Sequence, residues 1–198
     1  MTTKGLIARI DAKLGRGDDV ARLLQQARDV VMEEPGTTAW FAVQFGHDEF
    51  GIVDAFPDEA ARQEHLAGGV VRALGKNRAL MDEEPVIEKV EILAEKIEAG
   101  KVSKALLLRL PIAPEHKQEA EAFLREGKTV VDQEPATTDW FALAFENGDL
   151  GVFDVFPDAR GRRAHLAGEI PKQLARHGLS WLGGLPHTSF GDVLAQKP

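Results

Sequence analysis

The 198-residue sequence contains no cysteine and no tyrosine. Without cysteine there is no disulfide framework, thiolate nucleophile or cysteine-held iron–sulfur cluster. Positive charge is also in short supply: 24 Lys and Arg against 32 Asp and Glu leave a net charge of −8, with no basic stripe. Nucleic acid or an anionic membrane would have to bind against the protein's own field, so both are excluded as expected partners. No apolar run approaches the roughly 20 residues of a membrane span. Met1-Thr2-Thr3-Lys4-Gly5 leads straight into a strand-like run rather than the apolar region of a signal peptide, which points to the cytoplasm. His47, His116, His177 and His187 show no metal-ligand spacing, so no metal site is expected. Gly15-Arg16-Gly17 lacks the rest of a phosphate-binding fingerprint.

What is present is an ordinary globular composition, 43% hydrophobic and 28% charged, written twice. Glu34-Pro35-Gly36-Thr37-Thr38-Ala39-Trp40-Phe41 returns as Glu134-Pro135-Ala136-Thr137-Thr138-Asp139-Trp140-Phe141. Gly51-Ile52-Val53-Asp54-Ala55-Phe56-Pro57-Asp58 returns as Gly151-Val152-Phe153-Asp154-Val155-Phe156-Pro157-Asp158, and His65-Leu66-Ala67-Gly68 as His165-Leu166-Ala167-Gly168. Half of the positions between Val30 and Gly69 are identical to their counterparts, the mark of a tandem duplication. We therefore divide the chain into residues 1–98 and 103–198, joined through Glu98-Ala99-Gly100-Lys101-Val102.

Each half reads as the same series of elements. Leu6 to Leu14 and Leu106 to Leu110 are strand-like, with Arg9 and Arg109 in register on the face of Ile7 and Leu107. Val20, Leu23, Leu24, Ala27, Val30 and Val31 follow one helical face, with Asp18 or Asp19 as the expected cap, and Pro35 and Pro135 stop the helices near Glu34 and Glu134. Thr38 to Phe45 and Phe50 to Phe56 form a hairpin. Alternation puts Phe41, Val43 and Phe45 on one side and Trp40, Ala42 and Gln44 on the other, and we assign the phenylalanine side to the helices. Pro57-Asp58 and Pro157-Asp158 start a second helix through His65 or His165, which Pro171 interrupts in the copy. Val86 to Ile97 supplies a last strand, and Glu91 to Lys96 matches Asp192 to Lys197 at an offset of 101. The order β-α-β-β-α-β is ferredoxin-like. Helices cover one sheet face only, so the two sheets are expected to face one another in an α/β barrel.

Five pairs of residues are candidates to carry chemistry. Asp54 and Asp154 sit inside strands, where burial costs several kcal/mol unless the carboxylate is paired. They either pair with Arg9 and Arg109, or act as base while those arginines steady an oxyanion. His65 and His165 are packed helix residues or general bases. Trp40 and Trp140, with Phe56 and Phe156, are either core or the walls of an aromatic pocket.

Glu-Pro-Gly-Thr before an aromatic strand, an acid-x-aromatic strand end, and Asp with an Ala-rich helix carrying His-Leu resemble the antibiotic biosynthesis monooxygenase family of the dimeric α/β-barrel superfamily. The resemblance covers each half almost completely. It implies a fused version of a homodimer, with two ferredoxin-like repeats forming an intramolecular pseudo-dimeric barrel. It implies further a cofactor-independent monooxygenase-like enzyme that oxidises a quinol-like or phenolic aromatic molecule with molecular oxygen. Asp54, Asp154, His65, His165, Arg9 and Arg109 would be catalytic, and Trp40, Trp140, Phe56 and Phe156 would bind substrate. The family's strand ends in Glu-x-Trp where this chain has Asp54-x-Phe56. Asn77 and Asn147, in a helix-end segment and a turn, do not supply the Asn–Trp–His set of the haem-degrading relatives. A non-catalytic binding or structural barrel is the competing reading. Association of the fused chain into a further homodimer stays open.

Overall fold

The computed structural model describes residues 1–197 and, within them, every side chain except those of His177 and Leu179. The first repeat runs β1 (Lys4–Asp11), α1 (Gly17–Met32), β2 (Ala39–Gln44), β3 (Glu49–Phe56), α2 (Glu59–Leu66), α3 (Gly69–Lys76) and β4 (Val86–Lys96). The second runs β5 (Lys104–Leu110), α4 (Lys117–Val131), β6 (Asp139–Phe145), β7 (Leu150–Phe156), α5 (Ala159–Leu166), α6 (Glu169–Trp181) and β8 (His187–Lys197). Each repeat is ferredoxin-like, and the eight strands close into an α/β barrel in the order β1-β3-β2-β8-β5-β7-β6-β4. No helix among the described residues is long and apolar enough to cross a membrane.

The compact units cut across the sequence repeats. One comprises Met1–Val90 together with the chain from Gly191 onward, and the other is Glu91–Phe190. In the first unit, β1 and β2 flank β3 in antiparallel register, and β2 pairs on its other edge with the end of β8. Leu6, Asp54, Trp40 and Lys197 form one row across these four strands. Residues directly opposite in antiparallel strands share a face, so the row points to one side of the sheet.

That side lies under the helices. Trp40 and Ala42 pack with Val20, Leu24, Ala27 and Val31 of α1 and Val70 and Leu74 of α3. In the second unit Trp140 and Ala142 pack with Ala120, Leu124 and Val131 of α4 and Ile170 of α6. This reverses the expected assignment, which had put the phenylalanine face beneath the helices. Alternation separates two faces without saying which one the helices cover. The small residues decide it: Ala8, Ala27 and Ala42 let helix and sheet approach, and the indole fills the space they leave. At Gly127 of α4 an added Cβ would lie 3.7 Å from the Trp140 ring.

Three local expectations are also corrected. The α1 helix is preceded by Arg16 without a side-chain cap, and Asp18 and Asp19 lie inside its first turn, where carboxylates favour the exposed N–H groups. The second helical segment is broken in both repeats near Gly68 and Gly168, giving α2 and α3 or α5 and α6. Pro171 does not interrupt a helix: it sits in the first turn of α6, where its missing N–H has no intrahelical partner to lose. Asp58 and Asp158 do cap their helices, accepting from the Ala61 and Gly161 amides.

Gly151 shows how closely the sheet is packed. An added Cβ would come within 2.7 Å of the Leu108 carbonyl oxygen and 2.9 Å of the Phe145 ring, which lies across the glycine. We expect Gly151→Ala to lower unfolding stability by about 1–3 kcal/mol, through overpacking against backbone that cannot yield. Urea unfolding with an unchanged m-value would confirm it, and an unchanged midpoint would show that the strand can shift.

Candidate functional site

In the first unit, strand, helix and loop bring three ionisable groups together. Asp54 is the β3 member of the row beneath the helices and is 5% exposed. His65, on the last turn of α2, presents its ring to that row. Its Nε2 lies 3.4 Å from Asp54 Oδ2 and its Nδ1 lies 2.5 Å from Glu34 Oε2. Glu34 follows the end of α1, where Pro35 turns the chain toward β2. Thr37 donates its hydroxyl to Glu34 Oε2 at 2.9 Å, and its Oγ1 lies 3.3 Å from His65 Nδ1. The Phe56 ring packs against the imidazole with centroids 5.3 Å apart.

The second unit repeats this arrangement closely. His165 Nε2 is 3.5 Å from Asp154 Oδ2, and its Nδ1 is 2.6 Å from Glu134 Oε2. Thr137 donates to Glu134 at 2.9 Å, and Phe156 packs on the ring at 5.5 Å.

The contacts assign the protons. A carboxylate only accepts, so Nδ1 carries hydrogen toward Glu34 or Glu134. On the other side, burial pushes the Asp54 carboxyl up to about 7, with the His65 charge opposing the rise and Glu34 adding to it. Asp154 is likewise pushed up to about 7 by burial, opposed by His165 and aided by Glu134. Burial alone would lower His165, but its hydrogen bond to Glu134 and the charges of Asp154 and Glu134 raise it. Glu134 would be raised by burial, and the hydrogen bond and charge of His165 bring it below its usual value. Each raised aspartate thus lies close to an imidazole nitrogen, at 3.4 Å in the first unit and 3.5 Å in the second. Asp54 Oδ1 and the Trp40 indole N–H, on directly opposed residues, have no hydrogen-bond partner, and the same holds for Asp154 Oδ1 and Trp140.

A cleft of about 310 Å³ opens beside the Glu34–His65–Asp54 contacts, with Glu34, Thr37, Ala61, His65, Gly68 and Arg72 among its walls. The side chain of Glu34 is 20% exposed and that of His65 3%, so Glu34 is the wet end of the chain of groups. This cleft lies on the helix side of the sheet.

The expected arginine–aspartate pairing fails on register. Arg9 stands opposite Gly51, three residues from Asp54, and an odd separation puts the two side chains on opposite faces of the sheet. Arg9 is exposed. Arg109, opposite Gly151, pairs with Asp149 at 2.7 Å and lies 4.1 Å over the Phe145 ring. Trp40, Trp140, Phe56 and Phe156 are wholly buried, the tryptophans under helices and the phenylalanines against the imidazoles. Glu34, Glu134, Thr37 and Thr137 were not expected in the site, although their identity in both repeats was the available signal. Among the described residues no group of three or more His, Asp or Glu side chains is placed to hold a metal ion. His177 lies outside the described side chains.

No protein-family model matches the chain. No curated protein matches it either. Solved structures do. A Fusobacterium nucleatum protein provisionally named a monooxygenase superposes with a TM-score of 0.86 at 14% identity, covering 99% of this chain and 94% of its own. A Listeria monocytogenes ferredoxin-fold protein described as related to antibiotic biosynthesis monooxygenases gives 0.61 at 7%, covering 98% and 95%. This is the antibiotic biosynthesis monooxygenase fold, carried as two fused repeats. An anthrone oxidase-like protein shares this monooxygenase-type fold, with a TM-score of 0.70 at 11% identity over 98% of this chain and 92% of its own.

The raised aspartates give stability a definite pH dependence. Their ordinary value is 3.8 and the folded value is about 7, so the folded protein holds their protons to higher pH and loses stability as pH rises from about 4 to about 7. His165 acts in the same direction, since a raised histidine stabilises below its unfolded value and ceases to do so as pH rises through its folded one. Lowered Glu134 acts oppositely, but only as pH falls through the acid range. We expect the unfolding midpoint of the parent to drop between pH 5 and pH 8, and that of Asp54→Asn/Asp154→Asn to drop distinctly less. Parallel profiles would show that the aspartates ionise without cost.

Proposed function

We propose that the protein is a cofactor-independent monooxygenase acting on a phenolic or quinol-like aromatic molecule, with chemistry at the Glu–His–Asp relays. The observation that carries this reading is the relay itself, kept identical in both repeats, with a near-neutral aspartate at its buried end and a cleft beside its wet end. A carboxylate pair in a structural role would be satisfied with one ionised partner. Here an imidazole is hydrogen-bonded to a carboxylate on one nitrogen and faces a buried carboxyl with a raised pKa on the other.

The chemistry needs a base and a dry place for the anion. A substrate hydroxyl at the cleft would give its proton to the Glu34–His65 end of the relay. His65, which already carries hydrogen on Nδ1, would hold the Glu34 carboxylate in place to receive that proton, with Asp54 buried at its other nitrogen. The phenolate is electron-rich enough to transfer an electron to oxygen, and recombination at the ring carbon forms the new C–O bond. Loss of water then leaves the quinone: the substrate loses two hydrogens, one oxygen atom enters the ring and the other leaves as water. A cleft of about 310 Å³ suits a molecule of about one or two rings. The monooxygenase-named structure of this fold supports the reaction type, and the anthrone oxidase-like one supports an aromatic substrate.

A second reading, a non-catalytic small-molecule-binding barrel, is favoured by the burial of Trp40, Trp140, Phe56 and Phe156, which removes the expected aromatic walls from the cleft. Oxygen consumption over a panel of quinols and polyphenols separates the two. We expect enzyme-dependent uptake, reduced about 10²- to 10⁴-fold in Glu34→Gln/Glu134→Gln and in His65→Gln/His165→Gln with folding retained. No uptake above a heat-treated control across the panel would overturn the monooxygenase reading. Thermal stabilisation by the same panel would then support binding alone.

A further inference from the structure

Each compact unit contains one buried or half-buried lysine contributed by the other repeat. In the first unit Lys197, from the last strand of the second repeat, stands opposite Trp40 in the β2–β8 register and so points beneath the helices. Its Nζ donates to the Glu34 carbonyl at 2.6 Å and to the Val31 carbonyl at 3.0 Å. In the second unit Lys96, from the last strand of the first repeat, donates to the Glu134 carbonyl at 2.8 Å and to the Val131 carbonyl at 3.2 Å. Lys96 is 5% exposed.

These carbonyls lie at and just beyond the ends of α1 and α4, where negative partial charge gathers. Each also accepts a backbone amide, Val31 from Glu34 and Glu34 from Thr37 in the first unit, Val131 from Glu134 and Glu134 from Thr137 in the second. An ammonium there is an ordinary helix-end contact. What is not ordinary is that one of the two carbonyls in each case belongs to the glutamate whose side chain holds the histidine. Burying a lysine costs side-chain entropy and desolvation, and a glycine or asparagine cap would end the helix without either cost.

We propose that Lys96 and Lys197 are positioning residues exchanged between the repeats: each fixes the main chain of the relay glutamate in the other repeat, Lys197 for Glu34 and Lys96 for Glu134. The inference rests on the relay being the reactive site, but its test does not. The fixed carbonyl sets where Glu34 leaves the helix end, and Thr37 then orients its carboxylate toward Nδ1. The charges around each lysine agree with the assignment. Lys197 faces Glu33 and Glu34; burial lowers it and both glutamates oppose that. Lys96 faces Glu98 at 3.4 Å and Glu134, whose ionised form it favours. On the far side, His165 meets Asp154 and Glu134, and His65 meets Asp54 and Glu34.

The readout is the Nδ1 proton of each relay histidine, which a short bond to a carboxylate moves far downfield in the proton NMR spectrum of the full chain. We expect Lys197→Met to shift or broaden the His65 resonance and leave that of His165 in place. Lys96→Met should do the reverse. Lys→Arg at either position, keeping donor and charge, should restore the signal. A helix-end lysine of purely structural value would lower the unfolding midpoint while leaving both resonances where they are, and that result overturns the proposal. So does movement of the histidine in the lysine's own repeat. Where a methionine variant fails to fold, Lys→Gln, which keeps two donors, is read by the same criterion. In steady state the affected site should lose about tenfold to a hundredfold in kcat with KM little changed, measured in a background where the other relay is removed by His→Gln. Failure of all oxygen uptake would overturn the monooxygenase reading and leave the NMR result to decide the lysines.

Discussion

An imidazole held between two carboxylates is the constraint around which each unit is arranged. Three ionisable groups placed together away from water would cost several kcal/mol each if any were left alone, so their contacts must form together. That requirement ties the loop after α1, the last turn of α2 and the middle of β3 to a common point. It also explains which residues the two repeats keep. Glu34, Thr37, Asp54, Phe56, His65 and Gly68 all have identical counterparts one hundred positions on. Gly68 belongs with them because an added Cβ would stand 2.8 Å from Glu34 Oε1, and at Gly168 2.9 Å from Glu134 Oε1. The carboxylate lies against bare backbone.

The fold was legible because its signals are local. Alternation, the Glu-Pro stops, the Asp-capped helices and the hairpin turn each depend on a few neighbouring residues. They place most strands and the first helices to within two residues, although β1 ends at Asp11 rather than Leu14 and the second helix of each repeat is split in two. The face of the sheet was not legible, since alternation is symmetric and the deciding features, small residues on helix and strand together, belong to two elements at once. Register was hidden for the same reason. Arg9 and Asp54 share a sheet but not a face, and only the pairing of Asp54 with Leu6 shows it. Glu34 was read as a helix end, which it is, and that reading concealed its side chain's role. Asp54 and His65 stood out because an acid within a strand and a repeated histidine each break a local rule.

The two repeats have diverged around an unchanged relay. Asp139, where the first repeat has Ala39, is buried and pushed up to about 6 by that burial, and it accepts the Glu98 amide at 2.8 Å. Trp181 joins the core of the second unit, where its counterpart by backbone pairing, Leu80, is only partly buried against the core of the first. Such changes alter the packing beneath the helices and the chain that leaves β4. They do not reach the imidazole contacts, whose distances agree between units to within 0.1 Å. The contacts around the imidazole are the same in both units while their surroundings differ.

Fusion of the repeats has a physical consequence beyond keeping two domains together. The relay recurs at an offset of 100 and the lysine at 101, so the last strand has moved by one residue relative to the site while Lys197 still reaches the carbonyl that Lys96 reaches in the copy. The extra residue lies ahead of β8: the bridge between Ala12 and Met81 is matched by that between Ile112 and Leu182, with Met81 and Leu182 already at the offset of 101, so the strand that carries Lys197 is not itself lengthened. A single repeat contains a relay but not the lysine that reaches its glutamate, and would have to borrow it from a second chain. Joining the repeats makes that encounter intramolecular, so completion of each site no longer depends on protein concentration.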